Sequence, residues 1–255
     1  MIKPKFLYSN VLRGITPTFS GTTIVGSGPA NATDWRDFSY FEADTGELDY
    51  TVSADTDIDA ISIYVATTAG SNSITIKYES TPSTYTTLKT YATPSGTLTL
   101  DEFTGVTVLS GRKIRLSIVA ATTMKIRQIV VGEVLEAEQG QFASMQYPTL
   151  FGGAKISNTI SVNGSIIGRT IKRLERSGTL ELQYLTASWV RSTWEPFAQH
   201  AIRYPFIYKP DPTNYVNEVA FSATEKVSAP SNSGKGDRMN VSWKLRNLVA
   251  DQYAV

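Results

Sequence analysis

Apolar and polar residues alternate one by one through residues 48–53, 58–65, 73–78, 112–119 and 124–131. A period of two sets Ile, Leu and Val on one face and Lys, Arg, Ser or Thr on the other, the pattern of a half-buried antiparallel strand. Polar breaks with Gly or Pro recur between these runs, at residues 67–72, 80–83, 94–96 and at Ser110-Gly111. Many short strands with frequent turn signals predict a mainly β chain that opens with a β-sandwich, its two sheets joined by jelly-roll connections.

A charged stretch over residues 133–138, followed by Gln139-Gly140-Gln141, ends the last alternating run and offers a linker. It divides the chain into domains 1–139 and 140–255. Beyond it the order is three strands, one helix, then strands again, at residues 151–155, 166–174, 179–185, 186–203, 205–212 and 238–248. The helix over 186–203 is marked by Trp189, Val190, Trp194, Phe197, Ala198, Ala201 and Ile202, which recur at three- and four-residue spacing as one apolar stripe. Thr186 or Ser188 can cap its first turn. Pro196 lies inside the stripe and removes a helix hydrogen bond, which predicts a kink or two short helices. Pro205 releases the chain from the helix, because a residue before proline disfavours that conformation. Residues 228–237 read as a polar loop before the last strand.

The chain has 255 residues and no cysteine, so disulfides and thiolate metal sites are excluded and stability rests on packing. Net charge is +1, but residues 1–139 carry 11 basic against 15 acidic side chains and residues 140–255 carry 13 against 8. That asymmetry suits two domains that meet different neighbours, with no general reason for nucleic-acid or membrane binding. No apolar run approaches the roughly 18 residues of a membrane span. The N-terminus lacks the apolar stretch of a signal peptide, so synthesis in the cytoplasm is expected.

Candidate chemistry is sparse. His200 stands alone, which closes the Ser-His-Asp, Cys-His and multi-histidine metal classes. Asp55, Asp57 and Asp59 resemble the start of a calcium loop, but Ala60 stands where glycine is needed and Ala66 where the bidentate glutamate belongs. Glu42, Asp44, Glu47 and Asp49 cluster near the first strand without the known separation that paired hydrolytic carboxylates require. No phosphate cradle is present, since neither residues 233–237 nor residues 152–155 have the P-loop form. Neither a catalytic residue, a cofactor nor a metal is therefore predicted. Arg169, Lys172, Arg173 and Arg176 make a basic run; as one strand, Arg169 and Arg173 would share a face opposite Lys172 and Arg176. No aromatic residue interleaves with them, so a subunit contact is preferred to nucleic-acid binding. Trp35, Phe38, Tyr40 and Phe41 form an aromatic cluster. Trp35, Tyr40 and Phe41 are candidate glycan contacts, because an aromatic face suits a sugar ring; the competing reading has Trp35 and Phe38 plugging one end of the sandwich.

Phe6-Leu-Tyr-Ser-Asn-Val-Leu12, the segment Gly28-Pro-Ala-Asn-Ala-Thr-Asp-Trp-Arg-Asp37 and the alternating run that ends at Glu133 resemble the discoidin-like jelly rolls found in phage tail proteins. Ile167-Gly-Arg169, Leu180-Glu-Leu182, the helix with Trp194-Glu-Pro-Phe197, then Pro205-Phe206 and the closing alternation over 239–248 resemble the tail-tube-like β-barrel of phage distal tail and baseplate proteins. The order here, sandwich before barrel, differs from the commonest distal tail arrangement. The resemblance implies a structural virion protein of a bacteriophage tail. Its copies would form a hexameric ring contacting tube, hub and fibre proteins, possess no enzymatic activity, and be assembled after synthesis in the host cytoplasm. The alternative expectation is a carbohydrate-binding adhesion module for host surface glycans. A glycan hydrolase is the least favoured of the three.

Overall fold

The computed structural model describes residues 2–23, 26–36, 38–66, 70–94, 96, 98–140, 153–175, 177–234 and 236–248, apart from the side chains of 153–156 and 171–175. In chain order the strands are β1 (Lys5–Leu7), β2 (Thr18–Phe19), β3 (Phe41–Ala43), β4 (Gly46–Thr51), β5 (Thr56–Val65) and β6 (Ser73–Thr81). There follow β7 (Thr84–Ala92), β8 (Asp101–Val108), β9 (Lys113–Val119), β10 (Met124–Gly132), β11 (Val134–Glu136) and β12 (Gly153–Ile160). The chain continues with β13 (Ile166–Glu175), β14 (Ser177–Thr186), β15 (Phe206–Lys209), β16 (Ala220–Val227), β17 (Ser231–Asn232) and β18 (Arg238–Asn247).

All five alternating runs form strands. One antiparallel sheet has the order β2-β4-β9-β6-β7 and faces a second of order β3-β10-β5-β8. Leu48, Tyr50, Ile74, Ile76, Leu116 and Ile118 from the first sheet meet Phe41, Ile61, Ile63, Ile126, Ile129 and Val131 from the second in one buried core. Strands far apart in sequence are neighbours, β4 beside β9 and β5 beside β10, as jelly-roll connections require.

The second lobe recruits strands from both sides of residue 139. Its sheet runs β11-β1-β15-β16-β18-β14, with β17 on β18, so β1 and β11 from the N-terminal part hold one edge. The closed barrel expected of residues 140–255 is not formed among the described residues, because this path ends at β11 and β14 and the two ends do not pair. Among the described residues β12 and β13 stand outside this sheet and pair with each other, so they do not bridge its two ends.

The helix packs on one face of this sheet. It runs as Ala187–Trp189, a wider π turn over Val190–Trp194, and Glu195–Ala201. Thr186 caps it, its hydroxyl accepting from the Trp189 amide. Pro196 has no amide to give, and the turn before it widens so that the Glu195 amide bonds to the Val190 carbonyl. The expected irregularity is thus an expanded turn at the proline. Trp194 and Phe197 carry the contact, with Trp194 centred 4.8 Å from Trp243 and Phe197 4.9 Å from Phe6.

The opposite face of the same sheet lies on the sandwich. Phe6 and Phe206 point to the helix, whereas Leu7, Ile207 and Phe221 enter a third core with Ala60, Tyr64, Val130, Leu98, Leu100 and Trp35. Strands β5 and β10 are therefore covered twice. Ile61 and Ile63 face the sandwich interior while Ala60 and Tyr64 face the second lobe. This corrects the half-buried reading of residues 58–65, where Ser62 is 1% exposed and bonds to the Thr99 carbonyl.

The N-terminal segment threads the joint. Asn10 ties it to β10, its amide donating to the Ile129 carbonyl at 2.8 Å while its side-chain oxygen accepts from the Val131 amide. Gly132 ends β10 directly beneath this crossing, where an added Cβ would lie 2.1 Å from the Ser9 carbonyl oxygen. Backbone cannot move aside as a flexible side chain does. Gly132→Ala is expected to destabilise the protein by about 2 kcal/mol or more, measured by urea unfolding; a change below about 0.5 kcal/mol would show that the crossing is not tight.

Candidate functional site

The feature that stands apart is the hairpin of β12 and β13. Its strands pair antiparallel from Gly153↔Glu175 to Ile160↔Ile166 and, among the described residues, join no other sheet. The tip is a tight turn. Ser161 accepts from the Gly164 amide at 2.9 Å and donates its own amide to the Ser165 carbonyl at 2.8 Å, and Gly164 takes the positive φ of 81° that closes the turn. Val162 at that tip is fully exposed, with Ile160, Ile166 and Ile167 each 60–68% exposed. Four large aliphatic side chains thus face water within eight residues, on a two-stranded ribbon that is marginal by itself.

The basic run lies on this hairpin. Arg169 is exposed on β13, opposite Asn158. Lys172 is the extra residue of a bulge between the pairs Lys155↔Arg173 and Ile156↔Ile171. The bulge breaks the plain alternation that put Arg169 and Arg173 on one face. The Lys172 and Arg173 side chains and the whole of Arg176 lie outside the described residues.

The aromatic candidates separate. Trp35 is 3% exposed, stacked on Phe221 at 6.1 Å and edge-on to His200 at 5.5 Å. Phe41 is fully buried against Phe19. Neither ring offers a face to a sugar, which corrects both as direct glycan contacts; their apolar area is spent in the core. Trp35 reaches the seam through a positive φ of 63°, rare for a bulky residue. Tyr40 is half-buried with the Lys125 ammonium 5.0 Å from its ring centre. Phe38, read as a core plug, is instead 74% exposed, with the Arg36 guanidinium 5.9 Å from its ring.

His200 is half-buried at the rim of an open depression of about 450 Å³, with Tyr8, Arg13 and Trp35 around it. Its Nε2 lies 3.1 Å from the Pro205 carbonyl. Burial holds its pKa below the usual histidine value against the opposing effect of that hydrogen bond, and the Arg13 charge adds to the lowering. No carboxylate pairs with it within 4.0 Å among the described residues, so the arrangement lacks the group that orients a histidine base.

The acidic candidates do not converge. Asp55 accepts from the Ser110 amide, Asp57 from Thr107 and Asp59 from the Val134 amide, which spends each carboxylate on a different loop or strand. Among the described residues no three His, Cys, Asp or Glu side chains are grouped to hold a metal ion. In the second acidic group Asp44 accepts from the Thr22 amide, Glu42 from Thr123, and Glu47 and Asp49 both pair with Arg115.

No family model matches this sequence, and no curated protein matches it. Among solved structures, a pectin-binding carbohydrate-binding module is 19% identical at a TM-score of 0.40, with 47% of this chain and 90% of that chain covered. A chitosan-binding module from a Paenibacillus chitosanase/glucanase is 19% identical at a TM-score of 0.41, with 49% and 99% covered. A Ruminococcus gnavus fucosidase in complex with fucose is 19% identical at 0.40, with 50% of this chain and 27% of that chain covered.

Asp49 illustrates how firmly the charges of the sandwich are committed. Burial alone would raise its carboxyl pKa, but hydrogen bonds from Arg115 at 2.6 and 2.8 Å and from Lys113 at 3.2 Å hold it below the usual carboxylate range. The stabilisation is then complete above the unfolded value near pH 4 and is lost as pH falls through the lower folded value. Asp49→Asn is expected to cost about 2 kcal/mol at pH 7 and progressively less below pH 4, as read from urea midpoints; an equal loss at both extremes would sink the assignment.

Proposed function

We propose that this chain is a structural protein that assembles with copies of itself, the hairpin of one copy seating on the next. The single observation that carries the reading is the β12–β13 hairpin, which pairs with no other strand among the described residues and holds Ile160, Val162, Ile166 and Ile167 in water. Its complement is present on the same chain. Strand β14 is ten residues long and, among the described residues, has β18 as its only strand partner, which leaves one edge without a strand beside it. Such a ribbon and such an edge on one molecule make a contact between two different surfaces, which repeats around a ring when the rotation closes. A bacteriophage tail, with tube, hub and fibre proteins as further partners and shape as the contribution, is the setting that the sequence resemblance of residues 140–248 suggests. The closed barrel that this resemblance implies is not formed among the described residues, so the proposal stands on the hairpin alone.

The purified chain is expected to form a discrete multimer by light scattering, and the double variant Val162→Asp, Ile167→Asp to run as a monomer with unchanged circular dichroism. A wild-type chain that stays monomeric at high concentration overturns the proposal.

A second reading is favoured by Phe38 and Tyr40, an exposed and a half-exposed ring flanked by Arg36 and Lys125. An aromatic face ringed by polar groups suits a pyranose, so the sandwich would bind host surface glycans. Retention on immobilised polysaccharide, beginning with pectin and chitosan, is expected to fall about tenfold or more in Phe38→Ala; retention that survives Phe38→Ala, Tyr40→Ala rules this patch out.

A further inference from the structure

Strand β15 is buried at every residue, so its alternation sends side chains into two cores. Phe206 and Tyr208 join the helix side and Ile207 joins the seam with the sandwich. Lys209, two residues after Ile207, follows it into the seam. It is 8% exposed and its ammonium donates to the Leu100 carbonyl of the sandwich at 3.0 Å. Lys209 lines a half-enclosed cavity of about 270 Å³, walled by Leu98, Leu100, Val216 and Val219, with Thr99, Asp101 and Asn217 also on its lining.

The neighbouring charges are already matched. Lys89 holds Asp101 at 2.9 Å, Lys5 holds Glu102 at 2.6 Å, and Glu136 is shared by Lys3 and Lys5. The two carboxylates that act on Lys209, Asp101 and Glu102, are thus each held by another lysine, and Lys209 has no carboxylate within 4.0 Å among the described residues. An ammonium has three protons to donate, and one carbonyl takes one of them. A nearly buried cation so placed is costly until an anion or further acceptors reach it. Desolvation accordingly holds its pKa below the ordinary lysine value, against the pull of Glu102 and Asp101.

We infer that this inter-lobe cavity is a binding site for a small monocarboxylate, its oxygens on the Lys209 ammonium and its short apolar body between Leu98, Leu100, Val216 and Val219. The volume lies just below the usual range for small-molecule pockets, which suits a body of roughly four carbons. Asp101 on the lining is neutralised by Lys89 at 2.9 Å, which leaves the Lys209 ammonium as the unpaired charge of the cavity and favours a carboxylate over a neutral analogue of the same shape. The site is separate from the hairpin and does not depend on the assembly reading.

The test uses the full chain and two probes, butyrate and the neutral butyramide, followed by saturation-transfer NMR and calorimetric titration. Butyrate is expected to bind at least about tenfold more tightly than butyramide, with a similar loss for butyrate in Lys209→Met. Lys226→Met, exposed on β16 and away from the cavity lining, is expected to keep binding within about twofold. A thermal melt checks the fold of Lys209→Met, and Val216→Trp, which leaves the lysine in place and fills the cavity mouth, is expected to block butyrate as well. Equal binding of the two probes, no binding of butyrate, or binding that survives in folded Lys209→Met or in Val216→Trp overturns the inference.

Discussion

Strands β5 and β10 belong to two interiors at once, and the way the two lobes meet depends on that double coverage. An antiparallel sheet with one wet face can alternate freely, but a sheet covered on both faces must hide nearly every side chain. Ile61, Ile63, Ile129 and Val131 supply the sandwich core, while Ala60, Tyr64 and Val130 floor the seam. The second sheet answers in the same way, Phe6 toward the helix and Leu7 toward the seam. Fully burying one such side chain is worth about 1.5–3 kcal/mol, so a seam of several makes the lobes one cooperative body. Asn10, Trp35 and Gly132 then fix the angle at which they meet, through a backbone crossing that tolerates no added carbon.

Against this closed interior, the hairpin is an exception that a solitary molecule would not favour. Two strands with four aliphatic side chains in water gain nothing from their own chain among the described residues. Seated on a neighbour, those four would contribute about 6–12 kcal/mol by area. Association costs an estimated 4–15 kcal/mol in lost freedom, so one such contact is marginal. A closed ring would change the balance, because each copy would both give a hairpin and receive one, and the last contact would close without a further loss of freedom. In the proposed assembly the edge of β14, without a strand beside it among the described residues, would receive the hairpin.

Local pattern was legible where one face is wet or where a cap is chemical. The period-two runs at 48–53, 73–78 and 112–119 became β4, β6 and β9 within a few residues, and Thr186 caps the helix as its hydroxyl suggests. Strands β7 and β8 were not legible, because Thr84–Ala92 offers threonine in place of an apolar alternation and takes its conformation from pairing with β6. The barrel was misjudged for a topological reason, since no local signal tells that residues 5–7 and 134–136 will border Phe206–Lys209. Of the aromatic candidates, spacing could not separate Trp35 and Phe41, which are interior, from Phe38, which is not. The basic strand was readable as a surface, but not its bulge at Lys172. Lys209 carried no signal at all: its place follows from Ile207 being buried on the same face.

The charges of the sandwich bear on what kind of work this protein does. General acid–base chemistry needs a group whose pKa lies near the working pH. Asp49 is driven the other way by Arg115 and Lys113, and its partners are held protonated in turn, so the pair stays ionised across the neutral range. Such fixed pairs resist titration and set strand register, a structural use of charge. The two basic groups whose pKa burial lowers, His200 and Lys209, both lie where the lobes meet and both answer to a backbone carbonyl, Pro205 for one and Leu100 for the other. The joint is thus the part of the molecule whose protonation and ligation are least settled by internal partners. An anion bound there, as inferred above, would touch both lobes at once and add to folded-state stability by mass action.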